Sequence, residues 1–176
     1  MRPILNPYGD AFQSGVPSSA RKPMLWAYSW GIPSLEAIHA IADLGPIVEL
    51  GAGTGYWAWL LKQAGADILC LDSNPESPPH WYPVRQGGAR HLASHQDRTL
   101  LMVWPPLAGR EESCMAYEAL QFWRGSQLVY VGEWRGRTAS PQFHDHLEAN
   151  FKKTLELPLP RWAGFSDSLF ILRANP

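Results

Sequence analysis

The chain has 176 residues, of which 45% are hydrophobic, and its formal net charge is −1 at pH 7. This length is enough for one domain with a full core and too short for two of ordinary size, so we expect a single domain over residues 1–176. No basic run is longer than two residues. Long nucleic acid is therefore not an expected partner, because its binding depends on clustered Lys and Arg.

The first part of the chain lacks a periodic pattern. Residues 1–24 contain Pro, Gly and Ser in place of a sustained repeat, which predicts an irregular arm. We interpret residues 1–31 as an N-terminal arm or lid and residues 32–176 as an α/β core. No continuous apolar stretch opens the chain, so we predict neither a secretory signal nor a membrane span and expect a cytoplasmic location.

The second feature in chain order is a helix bounded by clear signals. Pro33 and Ser34 predict its start, and Gly45 followed by Pro46 predicts its end. The segment just ahead of this helix contains Tyr28 and can fold back over a bound ligand.

A strand, a glycine turn, a helix and a second strand follow one another from Ile47 to Asp72. Three glycines in the turn allow positive φ values and a close approach to a ligand, since no β-carbon is in the way. Asp72 ends the second strand about twenty residues further on, where a carboxylate can accept hydrogen bonds from ribose hydroxyls. The predicted elements are strand Ile47–Leu50, helix Tyr56–Ala64 and strand Asp67–Leu71.

The spacing Glu-x-Gly-x-Gly-x-Gly, carried by Glu49, Gly51, Gly53 and Gly55, resembles motif I of the class I S-adenosylmethionine-dependent methyltransferases. In that family the acidic residue at the end of the second strand holds the ribose of the cofactor, and Asp72 matches it. The resemblance implies S-adenosylmethionine as cofactor. The residues it implies for cofactor binding are Tyr28, Glu49, Gly51, Ala52, Gly53, Gly55, Asp72, Ser73 and Trp104.

Two other classes of protein stay open. A nucleotide-dependent oxidoreductase would carry Gly-x-Gly-x-x-Gly, and the position of its third glycine holds Tyr56 here, which argues against NAD or FAD. A non-catalytic module that binds S-adenosylmethionine, as partner to another subunit, fits the same motif. A Walker A loop is excluded because no Gly-Lys-Ser or Gly-Lys-Thr follows.

Strands and helices alternate in the second half of the chain. This order predicts a doubly wound, mostly parallel sheet that ends in an antiparallel hairpin, as in class I methyltransferases. The predicted elements are a short strand near Tyr82–Arg85, strand Thr99–Trp104, helix Glu111–Phe122, strand Gln127–Gly132, helix Pro141–Phe151, and strands near Thr154–Leu157 and Leu169–Arg173.

Two residues are candidates for the substrate side, and a small-molecule methyl acceptor is expected. Trp104 precedes two prolines where amino-group methyltransferases carry Asn-Pro-Pro-Tyr or Asp-Pro-Pro-Tyr. Its indole offers only an N–H donor, which disfavours adenine or glutamine methylation by that template. The ring could instead stack on a flat substrate or lie against the sulfonium. Glu133 follows a strand at the same sheet edge and is a candidate contact for the nucleophile.

No metal site is expected. His144 and His146 alternate along a helix, so their rings point to different faces and do not have the spacing of a shared metal site. Cys70 and Cys114 show no metal-like spacing.

Overall fold

Helices and strands alternate along the chain in a computed structural model that describes residues 3–75 and 80–176. The helices are α1 (Pro7–Gln13), α2 (Arg21–Ala27), α3 (Leu35–Ala42), α4 (Tyr56–Gln63), α5 (Met115–Phe122) and α6 (Pro141–Asn150). The strands are β1 (Ile47–Leu50), β2 (Ile68–Asp72), β3 (Arg85–Gln86), β4 (Thr99–Val103), β5 (Gln127–Gly132), β6 (Phe151–Pro158) and β7 (Ser168–Ala174).

The strands form one sheet in the order β3-β2-β1-β4-β5-β7-β6. Strand β1 pairs in parallel with both β2 and β4, whereas β7 runs antiparallel to β5 and to β6. The predicted doubly wound sheet with its C-terminal hairpin is thus confirmed. The strand order reverses between β1 and β4, which opens a crevice at the carboxyl ends of these two strands.

Alternation along the central strands divides the core between the two sheet faces. Ile47 belongs to the cluster that contains α3 and α4, whereas Val48 and Leu50 belong to the cluster that contains α5 and α6. Side chains of a strand point alternately to its two faces. Glu49 therefore shares the face of Ile47 and lies beneath the start of α4.

The predicted irregular arm over residues 1–24 is wrong, because α1 and the start of α2 lie in this stretch. Asn6 caps α1 by accepting a hydrogen bond from the Gly9 N–H at 3.1 Å. The Tyr8 side chain is fully buried, and its hydroxyl accepts a hydrogen bond from Trp162 Nε1 at 3.2 Å. The local cap and the long-range bond to Trp162 together order a stretch whose own sequence has no helical period.

Three elements differ from prediction by more than one residue at a boundary. Helix α5 begins at Met115 because the Glu112 carboxylate accepts from the Gly109 N–H at 2.7 Å and closes a separate turn ahead of it. Strand β3 is shorter and later than the Tyr82–Arg85 expected, and β6 is longer than Thr154–Leu157. Strand β6 lies at the sheet edge with most residues exposed. Its sequence therefore has few apolar positions from which the ends of the strand could be predicted.

No helix in the described ranges has the length and apolar content required to cross a membrane.

The two ends of α4 offer a matched test of its glycines. Gly55 and Gly65 both have positive φ, +73° and +92°. A β-carbon at Gly55 would lie 2.8 Å from the carbonyl oxygen of Tyr82, whereas one at Gly65 would meet nothing within 4 Å. We expect Gly65→Ala to lower the free energy of unfolding by about 1 kcal/mol, and Gly55→Ala by about 2 kcal/mol or more. Urea unfolding measures the free energy of unfolding of both variants. Equal losses would contradict the close packing of Gly55 against Tyr82.

Candidate functional site

The turn between β1 and α4 is held by backbone hydrogen bonds. The N–H groups of Gly51 and Ala52 both donate to the Leu71 carbonyl, at 2.8 and 3.2 Å. Gly51 and Gly53 have φ values of +76° and +53°, and a β-carbon at Gly53 would meet nothing within 4 Å. The backbone at Gly53 is thus open to a ligand on the side where other residues carry a side chain.

Asp72 ties the end of β2 to this turn. Its Oδ2 accepts from the Gly53 N–H at 2.9 Å, and its Oδ1 accepts from the Asn74 N–H at 2.9 Å. A carboxylate has about four acceptor positions, so each oxygen keeps capacity for a ligand hydroxyl. The carboxylate is half-buried, and Ser73 beside it is exposed.

Glu49 is a buried carboxyl group at the base of the turn. Its side chain is 1% exposed, and its Oε2 accepts from the Cys70 thiol at 3.8 Å. Burial raises the pKa of Glu49, the hydrogen bond from Cys70 lowers it and the nearby charge of Asp72 raises it, and together these effects bring it to about 8. Glu49 therefore binds a proton near neutral pH. It can release that proton when a cationic ligand group lies beside it, because the positive charge favours the ionised carboxylate.

The segment between α2 and α3 is fastened to the glycine turn and to α4. Thr54 Oγ1 donates to the Tyr28 carbonyl, and Trp57 Nε1 donates to the Gly31 carbonyl at 3.2 Å. Trp81 Nε1 donates to the Ala27 carbonyl at 2.7 Å. Because three side chains hold its backbone, this segment has a defined position over the turn.

The Tyr28 ring lies within an aromatic cluster. It stacks on Tyr8 with ring centroids 5.0 Å apart and on Trp81 at 5.4 Å. The edge of Tyr56 contacts it at 5.1 Å. Tyr28 thus borders the site as a packed wall residue.

Two adjoining cavities lie at the crevice between β1 and β4. The smaller has a volume of about 70 Å³ and is lined by Glu49, the turn and the segment that contains Tyr28. The larger has a volume of about 390 Å³ and is lined by Asp72, Ser73 and Gly87 on one side and Trp104 on the other. Residues shared by both linings are Trp30, Gly51, Gly53 and Val103. The two cavities therefore meet at the glycine turn.

Trp104 forms the far wall of the larger cavity. Its φ of +50° is in the left-handed region, which is rare for a bulky side chain. Its Nε1 donates to Asp167 Oδ1 at 2.9 Å, and Asp167 is 2% exposed. The Trp104 ring contacts Trp30 at 5.6 Å and Phe165 at 5.8 Å between centroids. This edge of the cavity is therefore aromatic.

Glu133 does not belong to the described lining of either cavity. Its carboxylate accepts from the Arg137 backbone N–H at 2.9 Å, from Arg137 Nε at 3.0 Å and from the Ser166 N–H at 2.8 Å. Burial opposes its ionisation, but these hydrogen bonds and the Arg137 charge lower the pKa of Glu133. The structure gives Glu133 a role in joining the loop after β5 to the loop before β7.

The structure brings the residues expected to bind cofactor to one crevice, except Gly55, which packs against Tyr82 at the start of α4 and lines neither cavity. It leaves Glu133 outside the crevice as well. Residues that sequence reasoning missed are Thr54, Trp57 and Trp81, which hold the Tyr28 segment, and Asp167, which holds Trp104. Their partners are distant in sequence, so no local spacing could have indicated them. Over the described residues, no cluster of three His, Cys, Asp or Glu side chains is placed to hold a metal ion.

Comparisons with known proteins define the fold. A proposed RNA methyltransferase from Pyrococcus horikoshii aligns with a TM-score of 0.55 and 15% identity over 99% of this chain and 98% of that one. A proposed tRNA methyltransferase from Streptococcus pneumoniae aligns with a TM-score of 0.50 and 15% identity over 80% of this chain and 69% of that one. No protein-family profile and no curated protein matches the sequence. The chain has the fold of class I methyltransferases.

The buried Glu49 predicts a pH dependence of stability. Its pKa is about 8 in the folded state against an ordinary value of 4.5, so folding retains a proton that the unfolded chain releases. The stability from this group is complete below pH 4.5 and is lost as the pH rises to about 8. Over this range the free energy of unfolding of the unsubstituted protein should fall by about 1.4 kcal/mol per pH unit relative to that of Glu49→Gln. Urea unfolding across the range measures the difference, and a constant difference would show that Glu49 is ionised when folded.

Proposed function

We propose that this protein is an S-adenosylmethionine-dependent methyltransferase. The observation that carries the proposal is the crevice where the strand order reverses, bounded by an open glycine turn and by Asp72 on the next strand. Ligands of open α/β sheets bind at this position. The fold of the chain and its Glu-x-Gly-x-Gly-x-Gly motif favour S-adenosylmethionine over other nucleotides.

The residues present fit this cofactor in two parts. Asp72 would accept hydrogen bonds from the ribose hydroxyls, with Ser73 and Gly87 at the adenine side of the larger cavity. Gly51, Ala52 and Gly53 would surround the methionine part in the smaller cavity. Glu49, at the base of that cavity, would face the amino group directly or through water.

The protein's contribution to methyl transfer is positioning. The bound cofactor supplies a methyl group already activated by the sulfonium, so the site has to align a nucleophile with it and exclude water. Trp30 and Trp104 line the side of the cavity opposite Asp72. Their π faces can stabilise the positive charge next to the transferred group.

The acceptor that we propose is a small molecule. The formal net charge of −1 and the lack of long basic runs support this choice over an extended RNA surface. The Pyrococcus horikoshii protein, similar over nearly its whole length, is named as a proposed RNA methyltransferase, and an RNA base is therefore the second candidate.

Two other functions are alternatives for this crevice. An NAD-dependent oxidoreductase would need a glycine at position 56, where Tyr56 is fully buried and donates a hydrogen bond to Asn6 at 2.9 Å. A non-catalytic module would bind the cofactor without turnover, and labelled-methyl transfer separates it from an enzyme.

Thermal shift tests the choice of nucleotide. S-adenosylmethionine and S-adenosylhomocysteine should stabilise the folded state by about 2.7 kcal/mol at a hundredfold excess over their dissociation constants. NAD and NADP should leave the melting temperature unchanged, because the turn lacks the third glycine of their motif. A larger shift with NAD would contradict the proposal.

Asp72→Ala tests the ribose contact. The affinity for S-adenosylhomocysteine should fall by about 1 to 3 kcal/mol, because charge-assisted hydrogen bonds are lost. Isothermal titration calorimetry gives this difference, and Asp43→Ala, which removes an exposed carboxylate at the end of α3, is the matched control. Equal affinities of a folded Asp72→Ala variant and the control would show that the carboxylate does not hold the ligand.

A further inference from the structure

The wall of the cavity opposite Asp72 offers ring faces and very few polar groups. Pro105 and Pro106 follow Trp104 in the lining, and proline has no N–H to donate. The Trp104 indole N–H, its only polar side-chain group, is already bonded to Asp167. A ligand at this wall therefore meets π faces and apolar rings.

Asp167 fixes the plane of the Trp104 ring. It is 2% exposed, directly precedes β7 and lies outside the cavity lining, so it acts through Trp104. The left-handed φ of Trp104 turns the ring away from the direction that a regular strand would give. The hydrogen bond to Asp167 and the contact with Phe165 keep it there.

Trp30 extends the wall formed by Trp104 toward the solvent. Its ring lies 5.6 Å from that of Trp104 at an interplanar angle of 31°, and it is 46% exposed. Trp30 lines both cavities, as do Gly51 and Gly53. An exposed aromatic ring next to the glycine turn is positioned to contact a second flat molecule beside the cofactor.

The described lining also limits the proton chemistry. Its carboxylates are Asp72, bonded to the backbone of Gly53 and Asn74, and Glu118, which is exposed and accepts from Ser113 Oγ at 2.5 Å. Asp72 would hold the ribose, and one oxygen of Glu118 is held by Ser113. A nucleophile that stacks on the Trp104 wall and carries a free lone pair needs neither carboxylate as a base.

We infer that the methyl acceptor is a flat nitrogen heteroaromatic ring, which stacks on the Trp104 and Trp30 wall and attacks through an unprotonated ring nitrogen. This inference rests on the proposed function and names its acceptor class. Asp167 is the positioning residue for that wall.

The chemistry balances without a base or a co-reactant. The lone pair of the ring nitrogen forms the new bond to the methyl carbon, while the bond from that carbon to the sulfonium sulfur breaks and its electron pair stays on sulfur. The positive charge moves from sulfur to the ring, next to the π faces of Trp104 and Trp30 throughout.

Binding of quinoline to protein saturated with S-adenosylhomocysteine tests the wall directly by calorimetry. Trp104→Leu should weaken quinoline binding about tenfold, as expected for the loss of one stacking partner. Trp134→Leu is the matched control, because the Trp134 N–H is also held by a carboxylate, Glu148 at 3.1 Å, but its ring lies outside the cavity lining. Equal quinoline affinity of the two variants would overturn the inference.

Asp167 is tested by a pair of substitutions in the same assay. Asp167→Leu should weaken quinoline binding to the level of Trp104→Leu, and Asp167→Asn, which keeps an acceptor oxygen, should restore it. The S-adenosylhomocysteine affinity of each variant is measured first, and quinoline binding is then compared at saturation with that ligand. Loss of binding in Asp167→Asn with an intact fold would contradict the positioning role, and the Trp104 comparison stands if Asp167→Leu does not fold.

Labelled-methyl transfer identifies the source of the ring. The full-length protein is incubated with labelled S-adenosylmethionine and either a small-molecule extract or total RNA, and mass spectrometry locates the label. A methyl group on a ring nitrogen in either fraction supports the inference, and the fraction names the source. Label on an aliphatic amine, a carboxylate or protein, or no labelled ring in either fraction, overturns it. Failure of S-adenosylmethionine to bind would instead overturn the proposed function.

Discussion

The hydrogen bond from the Gly53 N–H to the Asp72 carboxylate joins the two strands on which the site is built. It fixes the distance between the glycine turn after β1 and the end of β2, so the open backbone and the acidic group face one crevice. The turn itself depends on positive φ at Gly51 and Gly53, which side chains with a β-carbon adopt only with strain. Without this arrangement the sheet would still form, but its reversal point would have no shaped ligand site.

The sequence predicted the centre of the fold well because local signals and tertiary structure agree there. The apolar strand, the glycines and Asp72 lie within 26 residues, and strand–turn–helix geometry places them together. The order of the remaining elements was also readable, since β4 and β5 are largely buried, Pro105 closely follows β4 and Gly132 ends β5. Boundaries were wrong where a side chain closes a local turn, as Glu112 does, or where a strand lies exposed at the edge, as β6 does.

The N-terminal segment shows what sequence pattern leaves out. Residues 1–24 have no period of their own, yet Tyr8 is fully buried and bonded to Trp162, 154 positions away. The same holds for the cavity wall that contains Trp104, which donates a hydrogen bond to Asp167, 63 positions away. Glu133, by contrast, has the sequence position of a site residue, but Arg137 and the backbone of Ser166 occupy its carboxylate. Tertiary partners, which spacing does not reveal, decide these roles.

A crystal structure of this protein with S-adenosylhomocysteine locates the ligand most directly. We expect density with the ribose hydroxyls at the Asp72 carboxylate, the methionine part along Gly51 to Gly53 and the sulfur directed toward Trp104. Density for the ligand at another edge of the sheet, or in the crevice with its ribose away from Asp72, would contradict it.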